Sequence, residues 1–235
     1  MKTAMILTAA AALAGLSAGA FTQTPPASET QFVQQTADGK TYYMASTLLS
    51  SRLMLEDGQV QIKDLLLDET GNLQAVVVNN PHFLSGDAAI AADLVYRAGG
   101  PGRQTLRADF DSTDFELLSQ GAGYRPIGLG WASEYDNARS VNAMMGTPIS
   151  VSASSEAIAV GDVEISVGGA VMAVHFESQG WAAFDTLEGR LPVSTLQFDH
   201  DQPDGWTVAA NVNDAQLDAL AGRDTALFLS AASAS

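Results

Sequence analysis

The chain has 235 residues, no cysteine and a formal charge of −16. That composition excludes a disulfide framework and thiolate metal sites. An acidic surface with no basic stripe repels phosphate backbones and anionic lipid, so nucleic acid is not an expected partner.

Residues 1–20 read as a secretion signal. Lys2 gives the positive start, Ala4–Leu16 is an uncharged apolar run, and Ala18-Gly19-Ala20 fits a small-residue cleavage site. The run is shorter than the roughly 20 apolar residues that cross a bilayer, so cleavage is expected and no integral membrane segment remains. Losing Lys2 leaves 10 basic against 27 acidic residues, a net charge of −17 on a protein bound for the bacterial periplasm. Residues 21–39, rich in Thr, Gln, Pro and Ser without apolar periodicity, form a predicted flexible leader.

From residue 40 onward the chain reads as mainly β, with Gly, Asp and Asn punctuation about every 8–12 residues, as in a barrel or sandwich. It is also self-similar. Shifting it by 98 places "VQIKDLLLDETGNLQAVVV" (Val60–Val78) over "IAVGDVEISVGGAVMAVHF" (Ile158–Phe176) without a gap. Asp64 then meets Asp162, Gly71 meets Gly169, and Leu73 meets Val171. The apolar alternation slips once in both copies, at Lys63-Asp64 and Gly161-Asp162, which predicts a β-bulge at each place. Upstream, "TLLSSRL" (Thr47–Leu53) matches "AMMGTPI" (Ala143–Ile149) at an offset of 96. Downstream, "TLRADFDSTDFELL" (Thr105–Leu118) matches "TVAANVNDAQLDAL" (Thr207–Leu220) at an offset of 102. Each of these ends in a short helix, with capping boxes predicted at Thr113/Glu116 and Asn213/Gln216. Phe115, Leu118, Leu217 and Leu220 supply the apolar edges.

The predicted organisation is therefore a unit at 40–121, a linker at 122–139, a second unit at 140–225 and a disordered tail at 226–235. The Gly-rich linker carries Tyr124, Ile127, Leu129 and Trp131, which are expected to pack on a neighbouring unit.

Ala45–Leu84 resembles the PRC-barrel domain. The resemblance rests on Asp57-Gly58 at an early turn and on Asp64, Leu65, Leu66, Leu67, Asp68 and Gly71 in the hairpin, followed by a run of valines. Ser50 stands where a Gly is usual, although Gly146 keeps it in the second copy, and the Pro of a later strand occurs only in the second copy's "GRLPVSTLQF". The resemblance implies two small, strongly bent β-barrels in tandem, each followed by a short α-helix. It also implies scaffolding or assembly contexts, and it brings no shared catalytic residues.

Little in the sequence points to chemistry. His82, His175 and His200 lack metal-ligand spacing. His175 takes the repeat position of Val77 and reads as a strand residue, while Asp199-His200-Asp201 reads as a solvated turn before Pro203. Glu56-Asp57 and Asp68-Glu69 sit at turns, and Glu164 and Glu177 read as outward charges. No Ser lies in a nucleophile elbow, and the glycines of "GLGWASEY" follow no strand into a helix as a phosphate loop requires. The second copy replaces Asp68 and Glu69 with Ser166 and Val167; the acids are thus turn residues rather than half of a calcium loop. No catalytic, cofactor or metal residues are assigned.

Phe83 and Trp181, which follow the valine strands at near-equivalent positions, are the candidate partner contacts, with barrel-end plugging as the plainer role. The leading expectation is a non-enzymatic envelope protein that acts by protein contact, with a partner or with itself. The alternative is a small-molecule or divalent-metal module with its site between the two barrels, lined by the linker aromatics.

Overall fold

The computed structural model describes residues 34–35, 41–82, 86–99, 105–121, 125–135, 137–153, 157–178, 188–202 and 205–221. The predicted signal and tail lie outside these residues, as does the leader apart from 34–35. A short strand, β1 (Gln34–Gln35), pairs with β2 (Thr41–Met44). There follow α1 (Ala45–Leu49), β3 (Arg52–Met54), β4 (Gln59–Leu67), β5 (Leu73–Val78) and β6 (Ala88–Ala91). A 3-10 turn at Ala92–Leu94 leads to β7 (Tyr96–Ala98), β8 (Thr105–Arg107) and α2 (Ser112–Gln120). The linker contributes β9 (Leu129–Trp131) and a 3-10 turn at Ala132–Glu134.

The second half repeats this order element for element. It runs β10 (Arg139–Ser140), α3 (Val141–Met144), β11 (Pro148–Ala153), β12 (Ile158–Ser166), β13 (Val171–Ser178) and β14 (Glu188–Pro192). A 3-10 turn at Val193–Thr195 then leads to β15 (Leu196–Gln202), β16 (Gly205–Asn213) and α4 (Asp214–Leu220).

The protein is mainly β. The first unit's strands pair in the order β7-β8-β3-β4-β5-β6 and the second's in the equivalent order β15-β16-β11-β12-β13-β14. In each, a 3-10 turn joins the two strands at opposite ends of that order, so the sheet must curl. The first and last strands have no mutual hydrogen-bonded register among the described residues, which leaves each sheet curled but open. The predicted bulges are present: the register shifts between Ile62 and Asp64 on β4, and between Val160 and Asp162 on β12. Inside the curl lie the apolar residues of both phases of each bulged strand, such as Ile62, Leu65 and Leu67, each 1% exposed.

The two units are not merely consecutive. β2 pairs with β12 of the second unit, and its counterpart β10 pairs with β4 of the first. The registers correspond, with Tyr43 opposite Ile165 and Arg139 opposite Leu67. The hairpin turns also meet. Leu73 N donates to the Gly169 carbonyl at 2.8 Å, and Val171 N donates to the Gly71 carbonyl at 3.0 Å. Each contact is the other's image under the repeat, which makes the junction isologous, as in a two-fold dimer built within one chain.

Gly169 lies at this junction with φ +90°, and a Cβ there would lie 3.3 Å from Leu73 Cβ. Gly169→Ala is therefore expected to cost about 1–2 kcal/mol through left-handed backbone strain, read as a lower Tm.

Several sequence expectations change. Helix α2 begins earlier than predicted: its N-cap is Asp111, and the box pairs Asp111 with Asp114 rather than Thr113 with Glu116. Asp is preferred over Thr at the N-cap, and Asp57 takes Ser112 N as well. The Asn213/Gln216 box forms as expected, with reciprocal bonds of 2.9 Å. Asp199-His200-Asp201 continues strand β15 instead of forming a turn. In the linker, Leu129 is buried and Trp131 half-buried as β9 adds to β6, but Ile127 is 92% exposed. Tyr124 lies outside the described residues.

Candidate functional site

The bulges explain how the units hold each other. In each, the extra residue turns an aspartate away from the strand and toward the other unit's helix start. Asp162 Oδ1 accepts Ser46 N of α1 at 3.0 Å, and its second oxygen takes the Ser46 hydroxyl. Asp64 Oδ1 accepts Asn142 N of α3, also at 3.0 Å, and its second oxygen takes the Ser140 hydroxyl. Each aspartate also accepts the amide that follows it, Leu65 N at 2.7 Å and Val163 N at 2.8 Å. Helix α1 has no side-chain cap from its own N-cap residue, Met44, so its capping comes from across the junction.

The hairpin turns are built alike despite different residues. Asp68 Oδ1 accepts Thr70 N at 2.8 Å and Asn72 N at 2.9 Å, and Ser166 Oγ accepts Ala170 N at 2.9 Å. Those bonds, from Asn72 first and then Thr70, hold the Asp68 carboxyl below its ordinary pKa. The acid is thus engaged by its own turn.

Where each turn caps the other unit's curl, a cavity forms. The turn at Ser166–Gly169 closes over the first unit and leaves a space of about 480 Å³. Its walls are mostly apolar, among them Leu48, Leu65, Val76 and Leu106, with Tyr43 from the exchanged strand. Asp93, Tyr96, Arg97 and Ser166 supply its polar side chains. Tyr96 donates its hydroxyl to Asp109 at 2.5 Å, and that bond, with burial and the charge of Asp109, holds its pKa above the ordinary phenol value. A shallow groove continues from Arg97 past Thr41 to Met172.

The equivalent space in the second unit, under the turn at Glu69–Gly71, is only about 160 Å³. Trp206 narrows it. The indole Nε1 donates to the Ser140 carbonyl at 2.7 Å, the Arg139 guanidinium lies 5.4 Å from the ring centroid, and Phe198 meets it edge-on at 5.8 Å.

On the outer face of β12–β14, Glu164 is only 1% exposed despite its reading as an outward charge. Arg190 Nε and a terminal nitrogen reach its two oxygens, each at 2.7 Å, and His175 Nε2 lies 2.8 Å from Oε1. Burial alone would raise the Glu164 pKa, but the bonds from Arg190 and His175 outweigh it and hold the carboxyl below its ordinary range. Tyr42 lies beside this cluster, and burial followed by the Glu164 charge raises its phenol pKa. The same face of the first unit is apolar: Leu66, Ala75, Val77 and Ala89 lie under Ala132, Tyr135 and Ala138 of the linker. This cluster escaped the sequence reading because its members sit on three successive strands, and alternation alone does not say which residues stand opposite one another. The signal that could have found it is the alignment of Glu164 with the buried Leu66.

Of the residues singled out from sequence, Phe83 and Trp181 lie outside the described residues. His82 is placed by its ring, with Nε2 3.0 Å from the Ser112 carbonyl. The cavity sits between the units, but the linker residues Leu129 and Trp131 do not line it; β9 has joined the first unit's sheet instead. No helix among the described residues is long and apolar enough to cross a membrane. No protein-family model matches the chain, and no curated protein matches it.

Proposed function

We propose that the protein is a non-enzymatic, periplasmic binding module in which two PRC-barrel-like units create a small-molecule site where they meet. The observation that carries this reading is the junction cavity. Its volume of about 480 Å³ falls within the range of small-ligand pockets, and its wall is more apolar than polar, with Asp93, Tyr96, Arg97 and Ser166 as polar groups. Asp93 is the acid among the described lining residues, and a calcium or magnesium site needs several oxygen ligands. An organic ligand suits this wall better than a divalent ion. The two units, their bulged hairpins and the PRC-like residues Asp64, Leu65, Leu67 and Gly71 support a common origin from a bent-barrel domain.

A thermal-shift screen of small apolar molecules is expected to give hits that raise the Tm. A ligand at about 100 times its Kd stabilises by about 2.7 kcal/mol. Ala92→Phe, which adds a ring to the cavity wall from the 3-10 turn, is expected to remove the shift. Hits that survive Ala92→Phe would contradict the assignment.

Protein contact remains the second reading, favoured by Ile127 at 92% and Tyr96 at 42% exposure, the latter on edge strand β7. A peptide could add to that edge by strand pairing. Capture of an envelope protein by the wild type but not by Ile127→Ser, without any small-molecule shift, would favour it.

A further inference from the structure

We infer that the ligand of the junction cavity carries a planar aromatic ring, because the second unit shows the same site occupied by one of its own. This inference rests on the binding reading above and adds the class of ligand. The two spaces are images of each other. Leu67 and Ile165, Met144 and Leu48, and Gly71 and Gly169 occupy corresponding walls, each matched by the repeat offsets. In the second unit the space is narrowed to about 160 Å³ by the Trp206 indole, whose polar hydrogen is spent on a main-chain carbonyl and whose face is met by a cation. The partners of that indole have counterparts around the larger cavity. The Met44 carbonyl takes the place of the Ser140 carbonyl, since Met44 pairs with Glu164 as Ser140 pairs with Leu66. Tyr43 takes the place of Arg139 on the same two strands. Arg97 takes the place of Phe198, since Arg97 pairs with Leu106 as Phe198 pairs with Val208.

The ring partners are thus exchanged rather than lost. In the occupied site a cation comes from the exchanged strand and an aromatic ring from the sheet edge. In the larger site the aromatic ring, Tyr43, comes from the exchanged strand and the cation, Arg97, from the edge. A ring seated there meets an arginine on one side and a phenol on the other, the setting that favours an electron-rich aromatic over an aliphatic body of equal size. A ring N–H or O–H finds the Met44 carbonyl in the place where the indole of Trp206 finds that of Ser140. The ligand class is a free, neutral, bicyclic or hydroxylated aromatic molecule, for which indole is the simplest probe.

Isothermal titration calorimetry of the mature chain with indole and with 1-hexanol tests the inference. Indole is expected to bind at least tenfold more tightly than hexanol. Ala92→Phe should weaken indole at least tenfold, and Arg97→Gln should reduce the indole-to-hexanol preference several-fold. Should Ala92→Phe fold poorly, ring-current shifts of the Val76 and Leu106 methyl resonances in the wild type locate the ring independently. Binding of hexanol without a preference for indole would overturn the aromatic class and leave the cavity reading standing. Binding of neither probe would overturn both. Indole binding that moves methyl resonances elsewhere, or that survives Ala92→Phe, would overturn the placement.

Discussion

Replacing Glu164 with alanine is expected to destabilise the protein by about 2–4 kcal/mol. Removing one member of a buried ion pair leaves the other uncompensated, which costs about 3–5 kcal/mol when both are buried. The figure is reduced here because Arg190 and His175 keep 39% and 37% exposure and can recover some hydration. The first unit shows what the same face accepts instead. Leu66 stands where Glu164 does, and Ala89, opposite Val77, stands where Arg190 does opposite His175. The double variant Glu164→Leu/Arg190→Ala, which leaves of the cluster only the 37% exposed His175, should therefore recover most of that loss, since apolar replacement of a buried pair is often neutral or stabilising. Chemical denaturation of the three proteins decides this; a double variant no better than Glu164→Ala would contradict it.

The sign of the pH dependence follows from the same cluster. The Glu164 carboxyl is held below its ordinary pKa when folded. Its contribution is therefore complete above the unfolded value of about 4.3 and is lost as pH falls through the lower folded value. The stability difference between wild type and Glu164→Leu/Arg190→Ala should move against the wild type as pH falls below about 4.3.

Asp64→Ala and Asp162→Ala are each expected to cost about 2–3 kcal/mol. Each aspartate caps a helix of the other unit, a role worth about 0.5–2 kcal/mol. Each also accepts a hydroxyl and the amide of its own bulge, and hydrogen bonds to a charged acceptor contribute about 1.5–3 kcal/mol. The losses should be felt in the other unit. Asp162→Ala should raise amide exchange in α1 and β2, and Asp64→Ala in α3 and β10. Exchange that rises only around the mutated bulge would show that the aspartates serve their own strands alone.

Much of this fold is legible in the sequence, and what is missing has a physical cause. The two copies, their bulges and the turn at Asp68–Asn72 follow from local residues: the slip in alternation at Asp64 and Asp162, and the positive φ needed at Gly71 and Gly169. The repeat also gives the positions of α2 and α4 to within two residues, the α2 cap moving because Asp111 competes better than Thr113, whereas the short helices α1 and α3 carried no such signal. What the pattern does not carry is pairing between distant strands. The four residues of β2 and the two of β10 carry no pattern that says each pairs with the other unit. The cavity shares that invisibility, because its wall joins Tyr43, Leu106 and Ser166 across more than a hundred residues. Glu164 was misread for a related reason. A charge on the outward phase of a strand looks solvated until a neighbouring strand brings Arg190 against it.

The site depends on the reciprocal docking of the two units, which is where the most direct measurement lies. The backbones of Asn72 and Ala170 form a single antiparallel bridge between the hairpin turns, flanked by the bonds from Leu73 to Gly169 and from Val171 to Gly71. In that geometry the two Hα atoms face each other across the closer, non-hydrogen-bonded pair. A nuclear Overhauser spectrum of the protein should show a strong Hα–Hα cross-peak between Asn72 and Ala170, with slow exchange at the Leu73 and Val171 amides. A spectrum lacking that cross-peak, with both amides exchanging freely, would mean that the turns do not meet and that the cavity between the units does not exist.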